Sequence, residues 1–196
     1  MFILGLDVST SNVGICLMDT EQPQMDSVVL AYVIPMSKIK GLYTKSCEVQ
    51  RHFLDVANKY KIDLIVVEEA LQAFRSRMSS AGTISKLNRF NGIVSYIART
   101  EFNCPVHQAN VVSSRKAVQC ILNRKSSKNT KEQVLEWVKI QPEMQKYDWP
   151  TKILKSGPNA GKIKLEAGCY DIADAFVMSL WGSKFLNIEG ADPTVL

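Results

Sequence analysis

Two short apolar segments, each ending in an acidic residue, place the strongest constraint on what this chain can fold into. Residues 2–7 read FILGLD and residues 63–68 read DLIVVE. Apolar runs of this length are typical of strands in the middle of a sheet that is covered on both faces. A carboxylate at the end of such a strand lies beside the core, where it must be paired with an opposite charge or bind a metal ion.

The hydrophobic pattern of the whole chain predicts an α/β fold, a mixed five-stranded sheet flanked by helices, with its first three strands antiparallel. Predicted strands span residues 2–7, 13–19, 28–34, 63–68 and 105–107. Predicted helices span residues 44–60, 79–100, 111–137 with a break near 124–129, and 170–185. Residues 141–168 contain several prolines and glycines and predict an irregular, mobile loop. We therefore expect a single domain over residues 1–196 with a basic, flexible segment at about 138–168.

Length and composition narrow the class of protein. The 196 residues are 46% hydrophobic and 22% charged, which suits one globular domain and excludes a disordered or coiled-coil chain. No apolar run approaches the ~20 residues of a membrane span. The five scattered cysteines include no CxxC pair and favour reduced thiols over a zinc site or disulfides. We therefore expect a cytoplasmic protein in a reducing environment, without a membrane partner.

Positive charge is concentrated in one segment of the chain. Residues 113–166 carry twelve Lys and Arg against five acidic residues, a net charge of +7, so the rest carries −2 of the total of +5. A basic segment on a slightly acidic body favours a surface for a polyanion such as nucleic acid. A solvated lysine-rich face is the alternative, since such faces are common.

Four carboxylates form the candidate chemical site. Asp7 and Glu68 end apolar strands, and open α/β sheets place their sites at the carboxyl ends of strands. Asp171 and Asp174 lie one turn apart on the last predicted helix, on a stripe that continues in apolar residues and therefore faces the sheet. Buried carboxylates without arginine partners need cations, and two divalent ions about 4 Å apart would balance them. Oxygen-only ligands favour Mg²⁺ or Mn²⁺ over zinc.

These motifs resemble those of a known family. The segments ILGLDVSTSNVGICLMD, LIVVEEALQAF and YDIADAFVMSLWG are similar to the RuvC-type Holliday junction resolvases of the RNase H-like (retroviral integrase) superfamily. The resemblance implies an RNase H-like sheet and a metal-dependent, structure-specific DNA endonuclease. Such an enzyme resolves four-way junctions by paired nicks that leave 5′-phosphate and 3′-hydroxyl ends. The catalytic, metal-binding carboxylates of that family match Asp7, Glu68, Asp171 and Asp174.

The same resemblance implies two Mg²⁺ ions, which Mn²⁺ can replace, and branched DNA as the partner of a homodimer. SSRKAV and KEQVLEWV resemble two lysine-bearing segments of the family, which implies that Lys116 and Lys131 lie near the scissile phosphate. DNA contacts are expected from the basic segment and from residues after the fourth strand, namely Phe74, Arg75, Arg77, Arg115, Lys116, Lys125, Lys128 and Lys131. In that family an aromatic side chain shortly after the Glu enters the junction. The candidates for this role here are Phe74 and Leu71.

Departures from the family pattern leave other functions open. Val8 and Ser9 stand where the family has Pro-Gly, and the spacing from Lys116 to Lys131 is longer than in bacterial members. Other branched DNA and RNA–DNA hybrids are therefore alternative substrates. The first predicted hairpin also resembles the phosphate-binding hairpin of sugar kinases and actin-like ATPases. A non-catalytic nucleic-acid-binding module is a further alternative, and each acid taken singly is also explained as a turn or helix-cap residue.

Overall fold

A mixed sheet of five strands forms the centre of the fold in the computed structural model, which describes residues 1–70 and 81–185. The strands are β1 Phe2–Val8, β2 Asn12–Asp19, β3 Val28–Pro35, β4 Leu64–Glu68 and β5 Val106–Ala109. They lie in the order β3-β2-β1-β4-β5. The pairs β1–β2 and β2–β3 are antiparallel, whereas β1–β4 and β4–β5 are parallel. The predicted fold class is confirmed.

Helices cover both faces of this sheet. They are α1 Leu42–Ala57, α2 Ala81–Phe102, α3 Val111–Ala117, α4 Thr130–Lys139 and α5 Gly168–Phe185. Helices α1 and α2 pack together on one face. Helix α5 packs on the other face, with α3 and α4 behind it. Within the described ranges, none of the helices has the length and apolar character that crossing a membrane requires.

The alternation of side chains along β1 and β4 sends their acidic residues to the same face of the sheet. Leu4 of β1 lies in the core under α1 and α2, whereas Ile3 belongs to the core under α5. Successive side chains of a strand point to opposite faces, so Asp7 lies on the α5 face with Ile3. In β4, Leu64 lies in the core under α5. The same alternation of side chains places Glu68, four residues later, on that face too.

The helical stretch predicted at 111–137 is two helices, and the break between them is longer than predicted. Helix α3 ends at Ala117 and α4 begins at Thr130. A capping box fixes the start of α4: the Asn129 side chain accepts a hydrogen bond from the backbone N–H of Glu132, whose carboxylate accepts one from the N–H of Asn129. The box places Lys131 in the first turn of α4.

A second, two-stranded sheet lies within residues 141–168. Strands β6 Thr151–Ile153 and β7 Ile163–Leu165 pair in antiparallel fashion. The prediction of an irregular loop is therefore wrong for these residues. Strands of three residues are too short to show a period, and the neighbouring prolines and glycines favour a loop. The flexibility of residues 138–168 stays a prediction.

The apolar side chains of α2 divide between core and surface. Phe90, Val94 and Ile97 are buried against the sheet. Ile93 and Tyr96 point outward, and Tyr96 is 70% exposed. Only part of the apolar surface of α2 therefore belongs to the core.

Helix α5 lies so close to β1 and β2 that only glycine fits between them at two positions. A Cβ atom on Gly5 would lie 2.1 Å from the carbonyl oxygen of Ala175. A Cβ atom on Gly14 would lie 2.1 Å from the carbonyl oxygen of Asp171. Gly14 is also the direct partner of Asp7 across the β1–β2 pair. The close approach therefore brings the first turn of α5 over the end of β1.

Gly5→Ala should lower the free energy of unfolding by about 3 kcal/mol or more, because the added methyl group must push α5 away from the sheet. Gly92→Ala is the matched control, since Gly92 lies on the exposed side of α2 with nothing within 4 Å of the position of a Cβ. Removing a helical glycine there should stabilise the protein by roughly 0.5–1 kcal/mol. Urea unfolding followed by circular dichroism measures both changes, and a Gly5→Ala protein as stable as the wild type would contradict the close packing.

Candidate active site

The two strand acids of the predicted site end neighbouring parallel strands. Leu6 of β1 is paired with Val67 of β4. Asp7 and Glu68 are the next residues of the two strands, and both lie on the face that α5 covers. The parallel register therefore places their carboxylates side by side at the carboxyl edge of the sheet.

The two helix acids lie over the same edge. Asp171 is in the first turn of α5, and Asp174 follows one turn later. Both are buried, with 6% and 4% of their surface exposed. The contact of the Asp171 backbone with Gly14 holds this turn against the sheet beside Asp7. The prediction that these acids face the sheet is confirmed.

The four carboxylates interact electrostatically. Burial raises the pKa of Asp7 well above its usual value, and the charges of Glu68, Asp174 and Asp171 raise it further. Burial also raises the pKa of Glu68 to about 7, with the charge of Asp174 as the next cause. The pKa of Asp171 is raised as well, mainly by burial. The structure thus brings the predicted acids into one group, while their catalytic role stays a prediction.

Arg115 of α3 enters this group of acids. Its Nη2 donates a hydrogen bond to Oδ1 of Asp174 at 2.7 Å, and only 14% of its side chain is exposed. Its Nε is buried and has no hydrogen-bond partner among the described residues. The sequence shows no obvious set of arginine partners for the four acids, and the structure supplies one arginine, which pairs with Asp174. The pair escaped the sequence reasoning because the two residues are 59 positions apart and meet only through the packing of α3 on α5.

Two further side chains compensate Asp171. Nζ of Lys131 lies 3.9 Å from Oδ1 of Asp171, and the placement of Lys131 near the scissile phosphate stays a prediction. The side-chain amide of Asn12 donates a hydrogen bond to Oδ2 of Asp171 at 2.7 Å. Asn12 was not predicted as a site residue. The only signal in the sequence is its position at the polar turn between β1 and β2, beside the end of β1.

A cleft of about 1230 Å³ lies next to these acids, and we call it the basic cleft for the four Lys and Arg side chains in its walls, although much of its lining is apolar. Glu68 is at one end of the cleft, and Arg115, Lys116, Arg124 and Lys128 are in its walls. Lys116 is exposed there, one residue after the arginine that contacts Asp174. The structure therefore places Arg115 among the acids and Lys116 at the surface of the adjoining cleft.

The remaining predicted DNA contacts divide into two groups. Lys125 lies exposed in the segment that joins α3 to α4. Lys128 is in the same segment and forms an ion pair with Glu136 of α4. The others lie outside the described residues, and the predictions made for them stay predictions: Leu71, Phe74, Arg75 and Arg77.

The chemistry of the donors fits a hard divalent cation. Four carboxylates face the two cationic side chains of Arg115 and Lys131, so full ionisation would leave an excess of negative charge in a buried site. As the side chains stand, no three carboxylate, histidine or cysteine groups within residues 1–70 and 81–185 are arranged to hold one ion. The Arg115 guanidinium already contacts one of the four carboxylates, that of Asp174.

Comparison with known proteins supports the fold through structure alone. Neither protein-family models nor curated protein sequences match the chain. RuvC of Thermus thermophilus has 13% sequence identity and a TM-score of 0.59, with 94% of this chain and 96% of that chain covered. RuvC of T. thermophilus in complex with a Holliday junction substrate has 14% identity and a TM-score of 0.62, with 96% and 97% covered.

A third structure extends the likeness to a eukaryotic protein. The yeast mitochondrial Holliday junction resolvase Ydc2 has 16% identity and a TM-score of 0.56, with 95% of this chain and 80% of that chain covered. The fold is therefore RNase H-like, as the sheet order and the covering helices indicate. Within that class, the fold is RuvC-like.

Arg115→Met should lower the free energy of unfolding by about 3 kcal/mol in buffer with EDTA, because it leaves the buried Asp174 carboxylate without its cation. Lys128→Met is the matched control. It breaks an ion pair whose two side chains are 51% and 55% exposed, so the loss should be under about 1 kcal/mol. Urea unfolding measures both variants, and equal losses would show that the Arg115–Asp174 pair does not compensate a buried charge.

Proposed function

We propose that this protein is a metal-dependent, structure-specific DNA endonuclease that resolves four-way junctions by paired nicks, leaving 5′-phosphate and 3′-hydroxyl ends. The observation that carries the proposal is the group formed by Asp7, Glu68, Asp171 and Asp174 beside a basic cleft. The RuvC-like fold supports it. One structural neighbour was solved with a Holliday junction substrate, and another is named as a Holliday junction resolvase.

The four carboxylates would hold two Mg²⁺ ions, which Mn²⁺ can replace, because both ions prefer oxygen ligands. Bound ions would lower the pKa of the attacking water and stabilise the 3′ oxygen as it leaves the phosphorus. The chain itself orients these ligands. Asn12 fixes the rotation of the Asp171 carboxylate through its hydrogen bond, and Gly14 keeps the backbone of Asp171 against the sheet.

Arg115 and Lys131 would act on the phosphate. Arg115 contacts Asp174 and also lies in the wall of the cleft, so release from the carboxylate leaves its guanidinium facing the entering phosphate. Lys131, in the first turn of α4 beside Asp171, would neutralise the charge that builds on the phosphate in the transition state. Lys116 is exposed on the same cleft and is proposed for the same phosphate.

The DNA backbone would follow the basic cleft. Contacts of lysine and arginine with phosphate position a duplex and carry little sequence information, and they make binding depend on salt. The residues proposed for these contacts are Phe74, Arg75, Arg77, Arg115, Lys116, Lys125, Lys128 and Lys131.

A homodimer is part of the proposal. A four-way junction is close to two-fold symmetric, and paired nicks need two active sites related by the same symmetry. Helix α2 is the candidate contact, since Ile93 and Tyr96 remain on its outer side.

Asp7→Asn should bind a four-way junction as tightly as the wild type but cleave it at least ~10²-fold more slowly in Mg²⁺, because the amide keeps the size of the ligand and removes its charge. Gel-shift binding in EDTA and single-turnover cleavage in Mg²⁺ measure the two effects. Asp55→Asn, which changes an exposed acid on α1, should retain the wild-type rate. Wild-type cleavage by the Asp7→Asn protein would refute the ligand assignment.

A panel of four-way, three-way, flap and RNA–DNA hybrid substrates separates the proposed substrate from its alternatives. The four-way junction should be cleaved fastest under single-turnover conditions, with nicks at symmetric positions on two strands. Faster cleavage of the hybrid or the flap would change the substrate but keep the metal-dependent nuclease. ATP hydrolysis without nucleic acid, together with no cleavage of any substrate, would favour the kinase-like alternative.

A further inference from the structure

The β6–β7 hairpin concentrates positive charge outside the candidate active site. Its strands form their own two-stranded sheet, and every strand residue except Leu165 is exposed. The fifteen residues of 151–165 include four lysines and no acidic residue. The hairpin therefore does not compensate its own charge.

Two of these lysines face each other across the ribbon. Lys152 of β6 is directly opposite Lys164 of β7 in the antiparallel register. Like charges in directly opposite positions destabilise a strand pair. An anion bound across this face would attract the ammonium groups of both lysines and offset their repulsion. The register therefore suits an anionic partner.

The other face of the ribbon has a different character. Ile153 is directly opposite Ile163, and their exposed fractions are 64% and 72%. Because side chains alternate along a strand, these isoleucines point away from the side on which Lys152 and Lys164 lie. The ribbon therefore has a lysine face and an isoleucine face that can be changed separately.

The base of the hairpin is fixed next to the candidate active site. The backbone N–H of Glu166 donates to the carbonyl oxygen of Pro150 and closes the ribbon. Gly168, the first residue of α5, lies against β3, where a Cβ would be 2.6 Å from the side chain of Val33. Asp171 follows within the first turn of the same helix. The base of the ribbon therefore lies close in the chain to Asp171, and a partner bound to the ribbon would lie near the candidate active site.

We propose that the lysine face, Lys152 and Lys164, binds the phosphate backbone of a duplex DNA arm beside the cleavage site, an inference that rests on the proposed function. A two-stranded ribbon matches the width of the DNA major groove and can lie along it. The four lysines are spread along the hairpin, which suits the repeated charges of a polyanion better than one small anion. Contacts of this kind hold the arm in place without reading its sequence.

The test is the salt dependence of junction binding by the double variant Lys152→Gln/Lys164→Gln, measured by fluorescence anisotropy in EDTA. Loss of two phosphate contacts should make the plot of log K against log salt concentration less steep by about two. Affinity at 0.1 M salt should fall at least about fivefold, and the difference should shrink as salt rises. Single-turnover cleavage at saturating enzyme should stay within about twofold of the wild type, because the lysines do not touch the reacting phosphate.

Two control variants isolate the lysine face. Ile153→Thr/Ile163→Thr changes the opposite face of the same ribbon and should keep the wild-type affinity and salt dependence. Lys59→Gln/Lys61→Gln removes the same charge from two exposed lysines that precede β4, at the end of this strand opposite to Glu68. This variant should also bind like the wild type. The lysine-face variant should melt at the wild-type temperature or slightly above it, because a repulsive pair has been removed.

The possible results separate this inference from the proposed function. Wild-type protein that binds no junction overturns the proposed function. If the wild type binds, an unchanged salt dependence in the lysine-face variant overturns only the role of the hairpin. An equal loss of affinity in the isoleucine variant, or a lower melting temperature of the lysine-face variant, also overturns that role, because the lysines would then support the ribbon rather than contact DNA.

Discussion

The contact between α5 and the sheet is the constraint on which the rest of the site depends. Gly5 and Gly14 carry no side chain at this contact, so at these two positions the helix backbone approaches the strands directly. This close approach brings Asp171 and Asp174 to the ends of β1 and β4. The group of acids therefore depends on glycine at two positions of the sheet where a larger side chain would keep α5 away.

The second requirement is electrostatic, since acids brought together in this way repel one another. Side chains from three other elements compensate this charge: β2 supplies Asn12, α3 supplies Arg115 and α4 supplies Lys131. Each compensating group contacts an acid of α5 rather than an acid of the strands. The strand acids keep the raised pKa values that burial and crowding cause.

The sequence was sufficient to predict the sheet and the four acids because both depend on short-range patterns. An apolar run that ends in an acid marks a buried strand with its carboxylate at the edge, and a spacing of three marks one side of a helix. The Arg115–Asp174 pair has no such pattern. Arg115 and Lys116 are neighbouring residues of α3, and the sequence of this short helix does not indicate which of its sides is buried. The packing of α3 on α5 therefore decides which of the two side chains reaches the acids. The β6–β7 hairpin was missed for a related reason, since its pairing is set by register between segments too short to show alternation.

The Arg115–Asp174 pair also bears on how the proposed metal ions would relate to folding. In small metalloproteins whose ligands have no internal counter-charge, the ion supplies the free energy of folding, and the chain is unfolded without it. Here an arginine, a lysine and an amide already offset the helix acids before any ion arrives. Under the proposed function the chain would therefore fold in the absence of metal, and ion binding would exchange one counter-charge for another within a scaffold that is already folded.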